Sequence, residues 1–187
     1  MGVYLNTGND NFVDSIRSEI YIDKSELISL CNRFIRTEQK YICLSRPRRF
    51  GKSMAVNMLA SYYGLHGDAV ALFRNLKVCR DESFSEHANQ YNCIQLNIQE
   101  FVSESTTVEQ MIRNITESLL MDFKEAYPSV EYRKETSLVQ VMRDVYTYCK
   151  VPFVGSIIVI CPGSAGVFRF SSAHWSSPFL CWNIANQ

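Results

Sequence analysis

Beyond Asp144 the chain contains no aspartate or glutamate. All 19 acids fall between Asp10 and Asp144, and the 43 residues that follow have none. About five acids are ordinary in a stretch of that length. Net charge is absent too, because 19 Lys and Arg balance the acids. That balance excludes a protein whose main role is to coat nucleic acid or an acidic membrane, although it leaves room for a local basic patch. The seven cysteines (Cys31, Cys43, Cys79, Cys93, Cys149, Cys161 and Cys181) include no CxxC pair. An odd number at irregular spacing makes neither a disulfide framework nor a zinc site, and apolar flanks mark most of them as buried free thiols. His66, His87 and His174 lack metal-type spacing. The start, MGVYLNTGNDNF, has no basic n-region and no apolar h-region, and Asn6 stands where a myristoylation signal carries Ser or Thr. The longest apolar stretch, residues 151–162, falls short of the roughly 20 residues that span a bilayer. These absences predict a soluble, cytoplasmic protein with no membrane partner.

What is present suits a folded domain. The 187 residues are 47% hydrophobic and 12% aromatic, enough for a packed core and too much for a disordered chain. Residues 1–22 read as a polar, Asn-rich segment ending in the alternation EIYI. Asp23 and Glu26 have capping-box spacing, which predicts a helix with Leu27, Leu30, Cys31, Phe34 and Ile35 on one face. YICLS reads as a short buried strand that ends at Arg46-Pro47. A helix from Lys52 carries Met54, Met58, Leu59 and Tyr62 on one side and stops at Gly64. A short helix follows at residues 69–76, then a strand at 91–98. Thr106 or Thr107 caps a long amphipathic helix through Phe123 that ends before Pro128, and another helix covers about residues 137–149. A third strand, residues 151–161, closes at Pro162-Gly163. Strands alternating with helices predict an α/β fold, a mainly parallel sheet flanked by helices. Ligands of such sheets bind at the carboxyl edge of the strands.

The strongest motif is SRPRRFGKS, Ser45 to Ser53, placed between a strand and a helix. Gly51, Lys52 and Ser53 match the end of GxxxxGK[ST]. Gly51 lets backbone amides close around an anion. Lys52 supplies an ammonium for the β and γ phosphates, and Ser53 a hydroxyl for Mg²⁺. The helix that starts there adds its positive end. Arg46 occupies the position of the first motif glycine, and Pro47 removes one amide donor. Arg46, Arg48, Arg49 and Lys52 place four positive charges in seven residues. That density also suits contact with nucleic acid or a solvated loop, and Phe50 alone offers an aromatic face for base stacking.

Through this loop and its flanking motifs the chain resembles a bacterial AAA-ATPase-like family. Its members open with a short N-terminal segment, then a YxDK motif, then a Walker A loop reading SRPRRFGKS. Here these are MGVYLNTGNDNF, Tyr21-Ile22-Asp23-Lys24 and Ser45 to Ser53. LFRNLKV (Leu72 to Val78) and CIQLNIQEF (Cys93 to Phe101) are similar to the family as well. The resemblance runs to about residue 153. It implies a P-loop NTPase domain that binds ATP with Mg²⁺. The site residues it implies are Arg46, Pro47, Arg48, Arg49, Phe50, Gly51, Lys52 and Ser53, with Ser53 on the metal. Many members carry a PD-(D/E)XK nuclease-like domain further along, which this chain is too short to contain.

The departure from the family lies in the third strand. Members end that strand in the acids of Walker B, which hold the Mg²⁺ shell and position water for attack on the γ-phosphate. Here VPFVGSIIVIC runs into Pro162-Gly163-Ser164, and SAGVFRFSSAHWSSPFLCWNIANQ follows without an acid. The expected organisation is therefore a family-like domain over residues 1–160 and an atypical tail over 161–187. A frameshifted or truncated reading frame accounts for that tail, and so does a variant that binds nucleotide without hydrolysing it. A non-catalytic interaction module and a nucleic-acid-binding domain using residues 46–52 are the readings from other classes. Asp23 reads as a helix cap, although Asp23 and Lys24 belong to a motif that could approach the nucleotide. Glu100 and Glu104 read as a solvated loop. Ser164 lies in GSAG, which is not the GxSxG of a hydrolase.

Overall fold

β1 (Tyr41–Arg46), β2 (Asn92–Asn97), β3 (Phe153–Val159) and β4 (Gly166–Ala173) make one sheet in the order β1-β4-β3-β2. The computed structural model describes residues 2–46, 50–65, 67–159 and 166–173. β2 and β3 pair in parallel, joined through helices as parallel neighbours must be. β4 runs antiparallel to β3 and to β1. Three strands thus point one way and β4 opposes them, so the α/β expectation holds while the sheet is mixed. Connection length explains the reversal. The six residues between β3 and β4 are far fewer than the dozen or so a parallel crossover needs.

Helices cover both faces. α3 (Lys52–Tyr63), α7 (Val108–Ala126) and α8 (Leu138–Cys149) lie where the apolar periods place them. Thr107 caps α7 by accepting from the Gln110 amide at 3.1 Å, and Ser137 precedes α8. Adjacent residues of β3 show the layering. Val154 joins the core of α1 (Asp10–Arg17), α2 (Glu26–Asn32), α3 and α4 (Ala69–Phe73), whereas Phe153 joins the core of α7, α8 and α6 (Ile98–Ser103). The period of two sends them to opposite faces of the sheet.

Several local expectations are corrected. Residues 10–17 are helical although the segment is polar, because buried Phe12 stacks on Phe73 with ring centroids 5.0 Å apart. The alternation EIYI is not a strand. Tyr21 packs inward while Ile20 and Ile22 are 82% and 67% exposed. In α2 the buried side chains are Ile28, Cys31 and Asn32, and Leu30 is exposed. α4 stops at Phe73, a 3-10 turn covers Lys77–Arg80, and α5 (Phe84–His87) follows.

The N-terminal segment lies along the outer edge of β2. Leu5 bridges Ile94 in antiparallel fashion, the Asn6 amide donates to the Cys93 carbonyl at 2.7 Å, and the Gln95 amide donates to the Tyr4 carbonyl at 2.8 Å. The buried Asp122 carboxylate in α7 accepts the amides of Val3, Tyr4 and Leu5 at 3.1, 2.6 and 2.9 Å. Otherwise exposed strand edge and orphan amides are satisfied together.

Several buried polar groups in the other core are also paired, although the Ser61 hydroxyl has no hydrogen-bond partner among the described residues. Asn32 Nδ2 donates to the Tyr62 hydroxyl at 3.1 Å, and the Tyr63 hydroxyl donates to Asn32 Oδ1 at 2.6 Å. His87 Nδ1 lies 2.7 Å from the Tyr91 hydroxyl. Burial lowers the His87 pKa below its usual value; Glu86 opposes the shift and Arg36 adds to it. A histidine held neutral in the folded chain contributes stability that is full above its unfolded pKa of about 6.5 and is lost as pH falls toward the lower folded value. Denaturation midpoints are therefore expected to decline as pH falls below about 6.5. A His87→Gln chain should show a shallower decline in that window. Equal slopes for the two would remove His87 as the cause.

Candidate phosphate-binding site

The carboxyl ends of β1, β2 and β3 share one edge of the sheet, since these strands point the same way. β1 leads into the loop at that edge, and α3 leaves it. Pro47, Arg48 and Arg49 fall outside the described residues, as does the Arg46 side chain, while Arg46 backbone pairs with Gly166 of β4. Phe50 is 57% exposed. Gly51 then takes a left-handed conformation, φ 75° and ψ 31°, as the N-cap of α3. Its carbonyl accepts the Ala55 amide at 3.0 Å, the first bond of the helix. A side chain at Gly51 would be strained by that positive φ, so the sequence needs glycine here.

Lys52 and Ser53 occupy the first turn of α3, with Ser53 exposed and Lys52 half-buried. Gly51, as the N-cap, has no side chain with which to cap this helix start. The first amides of a helix have no intrahelical partner, and together with the helix dipole they favour an anion. A left-handed glycine, a lysine and a serine thus stand in succession at one helix start.

Other motif residues converge on it. Asp23 does not cap α2, whose N-cap is Ser25 without a side-chain cap bond. The Asp23 carboxylate instead accepts the Ser25 amide at 2.8 Å and the Lys77 amide at 2.8 Å. Glu26 does not reach back either. It pairs with Lys77 Nζ at 3.1 Å. Buried Ser25 accepts the Val78 amide at 3.1 Å. The YxDK segment is thereby clamped onto LFRNLKV. Burial works to raise the Asp23 pKa, but the hydrogen bonds from Ser25 and Lys77 and the Lys77 charge outweigh it and hold it below the usual value. Lys24, next in the chain, extends Nζ to the Phe50 carbonyl at 3.2 Å.

The carboxylates that follow β2 are remote from this point. Glu100 lies in α6 at the end of β2 and accepts from Asn97 Nδ2 at 2.9 Å, and Glu104 is the exposed C-cap of the same helix. Glu100 is thus helical, while Glu104 is an exposed turn residue as expected, and β2 is three strand spacings from β1, about 14 Å across the sheet. The end of the third strand, with Pro162, Gly163 and Ser164, lies outside the described residues, as do His66 and His174. Among the described residues no cluster of three or more His, Cys, Asp or Glu could hold a metal. Cys31 and Cys93 are buried thiols, with pKa pushed up to about 12 by burial, whereas Cys79 is exposed and Cys149 half-buried. No helix among the described residues is long and apolar enough to cross a membrane.

The clamp between residues 23–26 and 77–78 was not legible in the sequence, because its partners lie more than fifty positions apart. The loop itself was legible through its motif. No significant match was found among curated proteins or among solved structures. A family model described as "Predicted AAA-ATPase" matches residues 7–160. With most of its length covered by that match, the chain belongs to the AAA-ATPase-like family.

Proposed function

We propose that this chain binds ATP with Mg²⁺ through residues 46–53 and does not hydrolyse it efficiently. The observation that carries the reading is left-handed Gly51 opening α3 as an N-cap without a side chain, with Lys52 and Ser53 in the first turn. In this reading Lys52 contacts the β and γ phosphates. Gly51 and the neighbouring amides line the cradle, and Arg46, Pro47, Arg48, Arg49 and Phe50 form its rim. The Ser53 hydroxyl, exposed on that turn, meets a Mg²⁺ that arrives with the nucleotide, as this ion commonly does. The metal would neutralise phosphate charge. Hydrolysis lacks a residue to position water, because no acid follows β3 in the sequence.

Calorimetric titration with ATP·Mg²⁺ tests this. The wild type is expected to bind, and Lys52→Ala to weaken binding by at least about tenfold, the value of one lost charge-assisted contact. Ser53→Ala should reduce the gain that Mg²⁺ gives. Phosphate release is expected to stay at the level of the Lys52→Ala chain. Absence of binding, or equal binding by both chains, would overturn the assignment. Release that depends on Lys52 would overturn the view that hydrolysis is lost.

A further inference from the structure

Lys24 stands apart from the other paired cations of the chain. Lys77, Lys124 and Arg133 each have a carboxylate partner, Glu26, Glu135 and Asp144. Among the described residues no carboxylate forms an ion pair with Lys24. Its ammonium instead reaches a backbone carbonyl 26 positions away, that of Phe50 at 3.2 Å. A Cβ placed on Gly51 would lie 3.2 Å from the same Nζ, so the charge sits directly against the glycine that opens α3.

The backbone around Lys24 is fixed. Asp23 on one side accepts two amides at 2.8 Å, and Ser25 on the other is fully buried and holds the Val78 amide. The Lys24 carbonyl accepts the Leu27 amide at 3.0 Å. An exposed, flexible side chain thus springs from a rigid base. An ammonium has three donors, and the Phe50 carbonyl uses one. An uncompensated cation held beside a helix start, next to a second lysine in its first turn, is suited to an anion with several charged oxygens.

We infer that Lys24 is a second phosphate-binding lysine of this site, delivered by the Asp23 clamp and resting on the Phe50 carbonyl when no anion is bound. This rests on the proposed nucleotide site and adds a residue from outside the loop motif. The ammonium contacts phosphate, so its contribution does not depend on the base or sugar.

The test is titration of wild type, Lys24→Ala, Lys24→Arg and Lys52→Ala with ATP·Mg²⁺ and with pyrophosphate·Mg²⁺. Lys24→Ala is expected to lose about tenfold for both ligands, and Lys24→Arg to recover most of that loss. Lys24 is exposed, so thermal midpoints should agree among these chains and confirm that folding is intact. Wild-type affinity in Lys24→Ala alongside a loss in Lys52→Ala would overturn the role of Lys24 and leave the site standing. Loss for ATP but not for pyrophosphate would overturn it as well, by moving the contact to the nucleoside. Failure of the wild type to bind either ligand would overturn the site, and Lys24 with it.

Discussion

Replacing Phe73 with alanine is expected to lower folding stability by about 3–5 kcal/mol, a large part of what an ordinary domain possesses. Phe73 is fully buried in α4, and its ring lies 5.0 Å from Phe12, 5.7 Å from Tyr62 and 6.5 Å from Phe84. Those partners belong to α1, α3 and α5, so one ring ties four helices together. The removed atoms lose their transfer free energy, and the space cannot close unless several helices move. Phe12 has the most to lose, because it is the one buried anchor of its polar helix. Urea denaturation measures the effect. Val70→Ala on the same helix is the control. Val70 is 58% exposed, and its truncation is expected to stay within about 0.5 kcal/mol. A loss below about 1 kcal/mol for Phe73→Ala would show that this aromatic cluster does not hold the helices.

Asp122→Ala is expected to cost about 3 kcal/mol or more, for a different reason. Its buried carboxylate takes three consecutive backbone amides, from Val3, Tyr4 and Leu5. Bonds to a charged acceptor are the stronger kind, and deletion would leave all three donors without their partner. Alanine relieves this only by releasing the N-terminal segment, which would then uncover the edge of β2. Hydrogen exchange should therefore accelerate at residues 3–6 together with the fall in the denaturation midpoint. Asp122→Asn should fall between the wild type and Asp122→Ala, since its carbonyl oxygen can still accept the Tyr4 and Leu5 amides while its NH₂ group cannot accept the third. An unchanged midpoint in Asp122→Ala would show that the segment docks through Leu5 and Asn6 alone.

Sequence periodicity revealed the long elements because burial repeats along them. α7 places Met111, Ile115, Leu119 and Phe123 inward at steps of four, and α3 is buried along most of its length. Short elements escaped where one or two side chains decide the matter. α1 depends on Phe12, and α6 follows β2 without any intervening turn residue. Asp23 looked like a cap because Asp and Glu at that spacing can form one. The structure gives both to Lys77 instead, and tertiary contacts override a local signal worth only about 1 kcal/mol. β4 escaped because the acid-free stretch was read for what it lacked, although GVFRFSSA includes the alternation of a strand. At the site, Gly51, Lys52 and Ser53 were visible from contiguous spelling. Lys24 was not visible as a neighbour of the loop, since no spacing rule links residues 26 positions apart.

The place of β4 also sets an order of assembly. Among the described residues β1 pairs with no strand other than β4, and β4 joins it to β3. The strand that presents the loop therefore has no ladder partner until residues 166–173 exist, some 120 residues after it is made. On the ribosome, β2 and β3 can pair and collect their helices while β1 waits unpaired. So distant a pairing carries a high loop-closure cost and belongs to the slow end of folding. The loop that opens α3 is thus put in its final setting only by a strand made long after it.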